Sequence, residues 1–458
     1  MKARNLLILL GGLFMLPLYF SSCAVDRWAA YAERTQTDRW IDDTMRVWYY
    51  WNQDIPHTND LNYFSAPFEF FASLLSDKDG KEGRAYSTID SLESHTRSIP
   101  YTDYSYGFQF TTNRAEDNDT ALYAHLLYVT PDSPAGEIGL ERGDWILEMD
   151  GEPITQDNYT RLYGGGSMQV TVGYYDAVLD TVLPYAEPRI LPGARAISDN
   201  PVHYRNVYVS GGRRVGYLVY NHFTSGLSDT SGEFDETLRE AFRYFASRQV
   251  NEFVLDLRYN NGGQLSCAEL LCAMLAPASA LGQPFGYLEF NTNFVERETP
   301  FYLEESLIGD GVNLDLSRLY VLTGSETASA SEMLINCLKP YMEVVQIGGV
   351  TEGKNVGSMT FVNQELMLSM SPIVCKIYNA RGESDYEQGL QPDFPLDENS
   401  DLARFLPFGD PNELMLYTAL GLISGDIPTA PSTASGMKTV VKSNSVARRA
   451  TSAVQIDK

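Results

Sequence analysis

Three serine hydroxyls and one lysine carry the chemistry most readily read from this chain. The stretch Val321 to Ser358 reads VLTGSETASASEMLINCLKPYMEVVQIGGVTEGKNVGS. An apolar strand, Leu319 to Leu322, breaks into the small residues Gly324 to Ser331, and a helical run begins at about Glu332. Hydroxyls at a strand-to-helix turn lie near helix N-terminal N–H groups, which favour developing negative charge. Ser325, Ser329 and Ser331 all sit in this turn. A second apolar strand, Val344 to Ile347, ends in a glycine-rich loop that carries Lys354. A lysine kept neutral by burial can take a serine's proton. The outline is a Ser–Lys dyad. Residue chemistry alone does not rank the three serines, and small residues also cap helices while Gly-Lys loops also make turns.

A second turn, Asp256-Leu-Arg-Tyr-Asn-Asn-Gly-Gly263, ends the apolar strand Glu252 to Leu257. Paired glycines let backbone N–H groups approach a reacting centre without side chains in the way. The run Thr327-Ala-Ser-Ala-Ser-Glu332, followed by Gly353-Lys354, resembles the signature of the carboxy-terminal processing peptidases, peptidase family S41 or tail-specific proteases. In that family the nucleophile is the middle serine and the lysine follows 25 residues later, the separation between Ser329 and Lys354 here. The resemblance implies Ser329 as nucleophile and Lys354 as base in amide hydrolysis. It also implies an oxyanion hole from the N–H of Gly262 or Gly263 and that of Ala330. To act as a base at neutral pH the lysine must be brought from ~10.4 to about 7–8 by desolvation. Gly389-Leu-Gln-Pro-Asp393 resembles the segment that closes S41 domains. Two positions depart from the family: Ser358 stands where a glutamine four residues after the lysine is usual, and Asn355 replaces a glycine. Gln346 and Gln364 are the candidates to fill the glutamine's place.

Positioning these groups requires a sheet. Strands alternate with helices from Val215 onward: Val215 to Phe223, a helix Glu233 to Arg248 with Phe234, Leu238, Ala241, Phe242 and Phe245 on one face, then Glu252 to Leu257 and a helix from near Cys267. That alternation predicts crossovers and a largely parallel sheet. Strands are expected at Met359 to Phe361, Met367 to Met370 and Val374 to Tyr378, with helical pieces at Asp401 to Leu406 and Glu413 to Leu422. Upstream, Ser133 to Gly151 (SPAGEIGLERGDWILEMDG) gives a short helix, a Gly-Asp turn, a buried strand and an Asp-Gly turn. It resembles a PDZ domain, which binds an extended peptide as an added strand and holds its terminal carboxylate in a backbone nest. Tyr106-Gly107-Phe108 falls where that carboxylate-binding loop would lie. Asp38 to Trp51 carries an aromatic stripe at helical spacing, and Pro67 to Leu75 and Ser87 to Leu92 read as further helical pieces.

The predicted fold is therefore α/β and α+β multidomain. Residues 1–22 are a leader, 23–100 a helical N-terminal region, 101–182 a PDZ-like β-rich domain, 183–424 a ClpP/crotonase-like S41 catalytic domain and 425–458 a disordered tail. Residues 181–212, rich in proline, read as a linker.

The leader is a basic segment (Lys2, Arg4), an apolar run from Leu6 to Phe20, and Ser21-Ser22-Cys23. The run is too short for an ordinary transmembrane helix, and the serines before Cys23 resemble a bacterial lipoprotein cleavage site. A lipidated Cys23 anchors the chain to the cell envelope, facing the periplasm or the cell surface. A net charge of −26 argues against nucleic acid and against electrostatic attachment to anionic lipid. The implied partners are protein or peptide substrates with apolar C-termini, and the membrane through the anchor. Neither cofactor nor metal is implied: Cys267, Cys272, Cys337 and Cys375 lack C-x-x-C spacing and read as buried thiols. None of the five histidines (His57, His95, His125, His203, His222) sits in a motif that would favour Ser–His–Asp chemistry. The competing class is a catalytically weak or inactive S41-like lipoprotein that binds peptides or other ligands.

Overall fold

Burial on both faces selects the residues of the central sheet. The computed structural model describes residues 28–81, 83–92, 102–114, 120–228, 231–294, 296–426, 439–441 and 454–456. Six strands run in the order Val202–Ser210, Arg213–Tyr220, Glu252–Asp256, Arg318–Thr323, Glu343–Gly348 and Phe394–Pro395. The first pair is antiparallel and each later pair parallel. Every residue of Glu252–Asp256 is buried, so the apolar run Phe253 to Leu255 lies between two buried carboxylates. Helices Glu233–Ser247, Leu265–Leu275 and Ala330–Leu338 cover one face, where Leu238, Phe242, Leu271 and Leu334 share a core with Leu255 and Val321. Helix Leu414–Ser424 covers the other, packing on Val254, Leu322 and Ile347. The loops after Asp256, Thr323 and Gly348 leave the carboxyl ends of three adjacent parallel strands, where open α/β sheets hold their ligands.

A second sheet orders Glu298–Tyr302, Pro284–Phe290, Ile373–Asn379, Val356–Ser358 and Val454–Gln455. The N-terminal helix Trp28–Trp48 packs against Pro67–Ser73, and Ile41, Met45, Phe70 and Phe71 of these helices, with Tyr49 just beyond the first, share a core with Val356, Leu368 and Ile373. Residues 102–198 build a two-stranded sheet, Thr102–Ser105 with Arg195–Ser198, and a larger sheet that includes Phe108–Arg114, with a core of their own that includes Phe108, Leu126, Ile146 and Val170.

Several expectations are corrected. Thr88–Ser91 is a strand, not a helical piece, because it pairs antiparallel with Leu368–Ser371. The supposed linker 181–212 contains Thr181–Pro184, Arg189–Leu191, Arg195–Ser198 and Val202–Ser210. Its prolines lie at strand ends or between strands, where no ladder N–H is lost (Pro184 ends one strand). Met359 to Phe361 is not one strand: Val356–Ser358 and Phe361–Asn363 flank it in different sheets. The tail holds two strands among its described residues, Thr439–Val441 and Val454–Gln455. The leader and Cys23 lie outside the described residues. Among the described residues no helix is long and apolar enough to cross a membrane.

Candidate active site

The helix Ala330–Leu338 begins two residues before the sequence signal at Glu332, and its cap is Ser329. Ser329 has φ 59° and ψ −116°, a conformation that a residue bearing a Cβ rarely adopts. Such a turn thrusts the side chain away from both the strand and the helix. Ser329 Oγ is buried and has no hydrogen-bond partner. The other two serines differ. Ser331 Oγ donates to the Asn260 carbonyl at 3.0 Å, tying the helix start to the glycine turn, and Ser325 is exposed. The structure thus ranks three hydroxyls that composition left equal.

Glu332 joins the main chain at Ser329 to that at Lys354. Its carboxylate is fully buried and accepts four hydrogen bonds. Oε2 accepts from Ser329 N at 2.9 Å and Lys354 N at 2.8 Å, so the two residues' main chains share a single oxygen atom. Oε1 accepts from Thr351 Oγ1 at 2.5 Å and Gly353 N at 2.7 Å. Burial pushes the Glu332 carboxyl up, against these bonds, which favour the anion. The sequence placed Glu332 inside the motif but gave it no role. The signal was there: a glutamate three residues after a cap serine is a capping-box pattern.

Lys354 is buried, and burial with the nearby Arg84 brings its ammonium down to about 7, against the pull of Glu352, Glu332 and Asp79. Its cover comes from the N-terminal region. The Tyr86 ring lies 4.8 Å from Lys354 Nζ, Arg84 pairs with Glu352 at 2.6 Å, and Lys81 donates to the Glu352 carbonyl. Asp79 holds that cover in shape, accepting from Tyr86 N and Ser87 N at 2.9 and 3.0 Å and from Tyr49 OH at 2.9 Å. Lys354 is therefore desolvated by a part of the chain far from it in sequence.

The glycine turn abuts the serine. A Cβ on Gly262 would stand 2.6 Å from Ser329 Cβ, and Gly262 has φ 105°, so only glycine fits. Gly262 N–H is already given to Asn260 Oδ1 at 2.9 Å. The other bonds of the turn use the Gly262 carbonyl, the Gly263 carbonyl and Gln264 N–H, leaving Gly263 N–H outside them. Ala330 N–H is the first of its helix and has no acceptor within it. Of the two glycines, Gly263 has the N–H suited to an oxyanion. Gly262→Ala is expected to lower kcat/KM by at least about 10²-fold, since a displacement near 1 Å at the reacting atoms costs that much. Steady-state assays beside a thermal melt separate this from loss of fold.

Buried charges anchor the turn from behind. Arg258 bonds Asp256 at 2.9 Å and Glu413 at 2.7 Å, while Arg142 of the 102–198 region reaches Tyr259 OH at 2.6 Å and Glu398 at 2.8 Å. Against the cost of burial, Arg142 and Arg258 hold the Glu398 carboxyl down to about 2. The two regions are thus in direct contact through the turn.

Neither glutamine fills the missing position. Gln346 spends its amide on Thr323 Oγ1 and the Leu390 carbonyl, both at 3.1 Å, and Gln364 is exposed on another turn. Ser358 is buried, and Asn355 bonds Ser384. Of the histidines, His222 engages Thr224 Oγ1 and the Asp199 carbonyl, and His125 stacks on Trp145. Tyr106 and Gly107 form the loop between Thr102–Ser105 and Phe108–Arg114, and Phe108 begins the second of these strands. There Gly107 N–H is held by Ser105 Oγ at 3.2 Å, and Tyr106 OH donates to Gly166 O at 2.6 Å. The four cysteines are free and buried.

A buried hydroxyl at a strand–helix turn, a desolvated lysine and two N–H groups beside them form the arrangement of a serine-type hydrolase. Comparison with known proteins makes the class specific. Peptidase family S41 matches residues 214–396, and the Peptidase S41 N-terminal domain matches residues 36–106. A crystal structure of an S41 protease from Bacteroides fragilis is 42% identical, covers 84% of this chain and 97% of that one, and superposes with a TM-score of 0.78. The chain belongs to peptidase family S41. It is also similar to the carboxyl-terminal-processing protease of Synechocystis, 25% identical over 344 residues covering 74% of this chain and 73% of that protein. The chloroplastic carboxyl-terminal-processing peptidase 2 of Arabidopsis thaliana is 27% identical over 285 residues, and this chain spans about half its length, 49%.

Proposed function

We propose that this chain is a serine endopeptidase that cleaves proteins near their C-termini, with Ser329 as nucleophile and Lys354 as base. One observation carries the reading: the Glu332 carboxylate fastens the main chain of a buried, unpartnered serine to that of a desolvated lysine. Ser329 Oγ attacks the scissile carbonyl as Lys354 Nζ takes its proton. Gly263 N–H and Ala330 N–H receive the oxyanion, each donor worth about 3–4 kcal/mol of barrier. Collapse of the intermediate expels the amine, which takes the proton back, and water then releases the acyl group from Ser329 by the same route.

Residues 101–182 act in this proposal as a PDZ domain, holding a substrate's apolar tail as an added strand beside Phe108–Arg114. Cys23 is proposed to carry a lipid that anchors the enzyme in the cell envelope. Replacement of Cys23 by serine is the check, with release from membranes as the expected result.

The base sets the pH dependence. Lys354 works only when neutral, so kcat/KM is expected to rise about tenfold per unit below pH 7 and to level off above about pH 8. A bell centred below pH 6, or no dependence between pH 6 and 8, would contradict a lysine base.

Ser358 favours a second reading, a binding protein with weak or absent catalysis, because no amide side chain stands at its position. An unfolded protein with an apolar tail discriminates the two. Cleavage mapped by mass spectrometry near that tail, and lost when the tail's last residues are made charged, supports the peptidase. Intact substrate with retained tail binding supports the binding protein.

A further inference from the structure

The edge of Val356–Ser358, which starts two residues after Lys354, is already paired by the chain itself. Val454–Gln455 lies parallel to Val356–Ser358, with Val454 opposite Gly357 and Gln455 opposite Ser358. Ile456 N–H donates to the Ser358 carbonyl at 2.9 Å. On its other edge Gln455 N–H donates to the Gly263 carbonyl, also at 2.9 Å, and Gln455 forms a parallel bridge with Gln264. One edge therefore meets the strand that starts two residues after Lys354, and the other meets the turn beside Ser329. Val454 is fully buried and Ile456 nearly so, both within the main core, while Gln455 between them is only half-buried. A Cβ on Gly357 would meet Cys375 Sγ at 2.7 Å and Ile456 Cδ1 at 3.1 Å, so Ile456 packs closely against this glycine. Ser329 is left with no exposure.

The same tail makes a second strand addition. Thr439–Val441 pairs antiparallel with Phe108–Arg114, Thr439 opposite Asn113 and Val441 opposite Thr112, at the edge the proposal above gives to substrate tails. One covalent segment thus lies on both surfaces a substrate strand would use.

We propose that Thr439–Val441 and Val454–Ile456 are a tethered pseudosubstrate: each lies as a strand at one of the two sites and excludes substrate until displaced, and Val454-Gln455-Ile456 displays the apolar–polar–apolar pattern that the site beside Val356–Ser358 accepts. The inference rests on the reading of Ser329 and Lys354 as a peptidase site. Covalent attachment makes weak contacts sufficient, because it turns binding into an intramolecular event with a raised effective concentration. When only the fraction of molecules with an empty site can bind, apparent substrate affinity falls by that fraction.

The test uses the full chain carrying Val454→Asp with Gln455→Pro, which charges the buried position and removes the N–H given to Gly263. A chain ended after Asp426 is the second variant. Both are compared with the parent for kcat/KM on an unfolded reporter protein. In a Ser329→Ala background, binding of a labelled peptide spanning Thr451 to Asp457 is followed by fluorescence anisotropy. Release of the tail is expected to raise kcat/KM by about tenfold or more and to tighten peptide binding by a similar factor. Equal peptide affinity in parent and variants overturns the inference, whatever the activity does. If no form cleaves the reporter, the peptidase reading fails, while tighter binding by the variants still upholds the tail as occupant of the site.

Discussion

Replacing Ser329 with alanine is expected to lower kcat/KM on an unfolded protein substrate by at least about 10⁴-fold, with the melting temperature little changed. Lys354→Ala is expected to match it within about tenfold, since residues that act as one unit are lost together, and the double variant should be no worse than either. The expectation follows from geometry. Ser329 Oγ is the buried hydroxyl of the turn with no partner, and Gly262 packs directly against it. Ser331→Ala is the control. Its hydroxyl is spent on the Asn260 carbonyl, so it should cost stability first and rate through it. Equal activity of wild type and Ser329→Ala would remove the dyad from the account.

The second large effect is at Glu332. A glutamine there has the right shape but only one acceptor oxygen, and its NH₂ would face N–H or O–H donors. Either Ser329 N and Lys354 N or Thr351 Oγ1 and Gly353 N would lose their acceptor. Each buried donor left unsatisfied costs about 1–3 kcal/mol. Glu332→Gln is therefore expected to depress the melting temperature by several degrees and kcat by about 10²-fold, with KM moving much less. In the proposed mechanism Glu332 is a positioning residue, because it holds the main chain at Ser329 and Lys354. That role predicts a shifted pH–rate midpoint in the variant, because the carboxylate also raises the Lys354 ammonium pKa through space. An unchanged midpoint with a lowered kcat would assign Glu332 to stability alone.

Much of this site was legible in the chain because strand–turn–helix signals are local. Apolar runs located the three parallel strands, and small residues marked the loops at their carboxyl ends. The 25-residue separation tied Ser329 to Lys354. Backbone bonding decides between Gly262 and Gly263, and that depends on where the Asn260 amide points. What the sequence hid was long-range. Tyr86 covers Lys354 from a segment whose neighbour, Thr88–Ser91, looked helical until it paired with Leu368–Ser371. Proline content suggested a linker at 181–212, yet tertiary pairing makes strands there. The polar composition of the tail suggested disorder, and composition is blind to an edge that accepts three residues at a time. The leader with Cys23 lies outside the described residues.

Acylation of Ser329 with Lys354 as its base is read directly by rapid acid quench of a peptide ester reaction, followed by digestion and mass mapping. An acyl adduct is expected on the peptide containing Ser329, absent in Ser329→Ala and formed at a rate that rises with pH through about 7. An adduct on Ser325 or Ser331, or one at Ser329 that forms equally fast in Lys354→Ala, would contradict it.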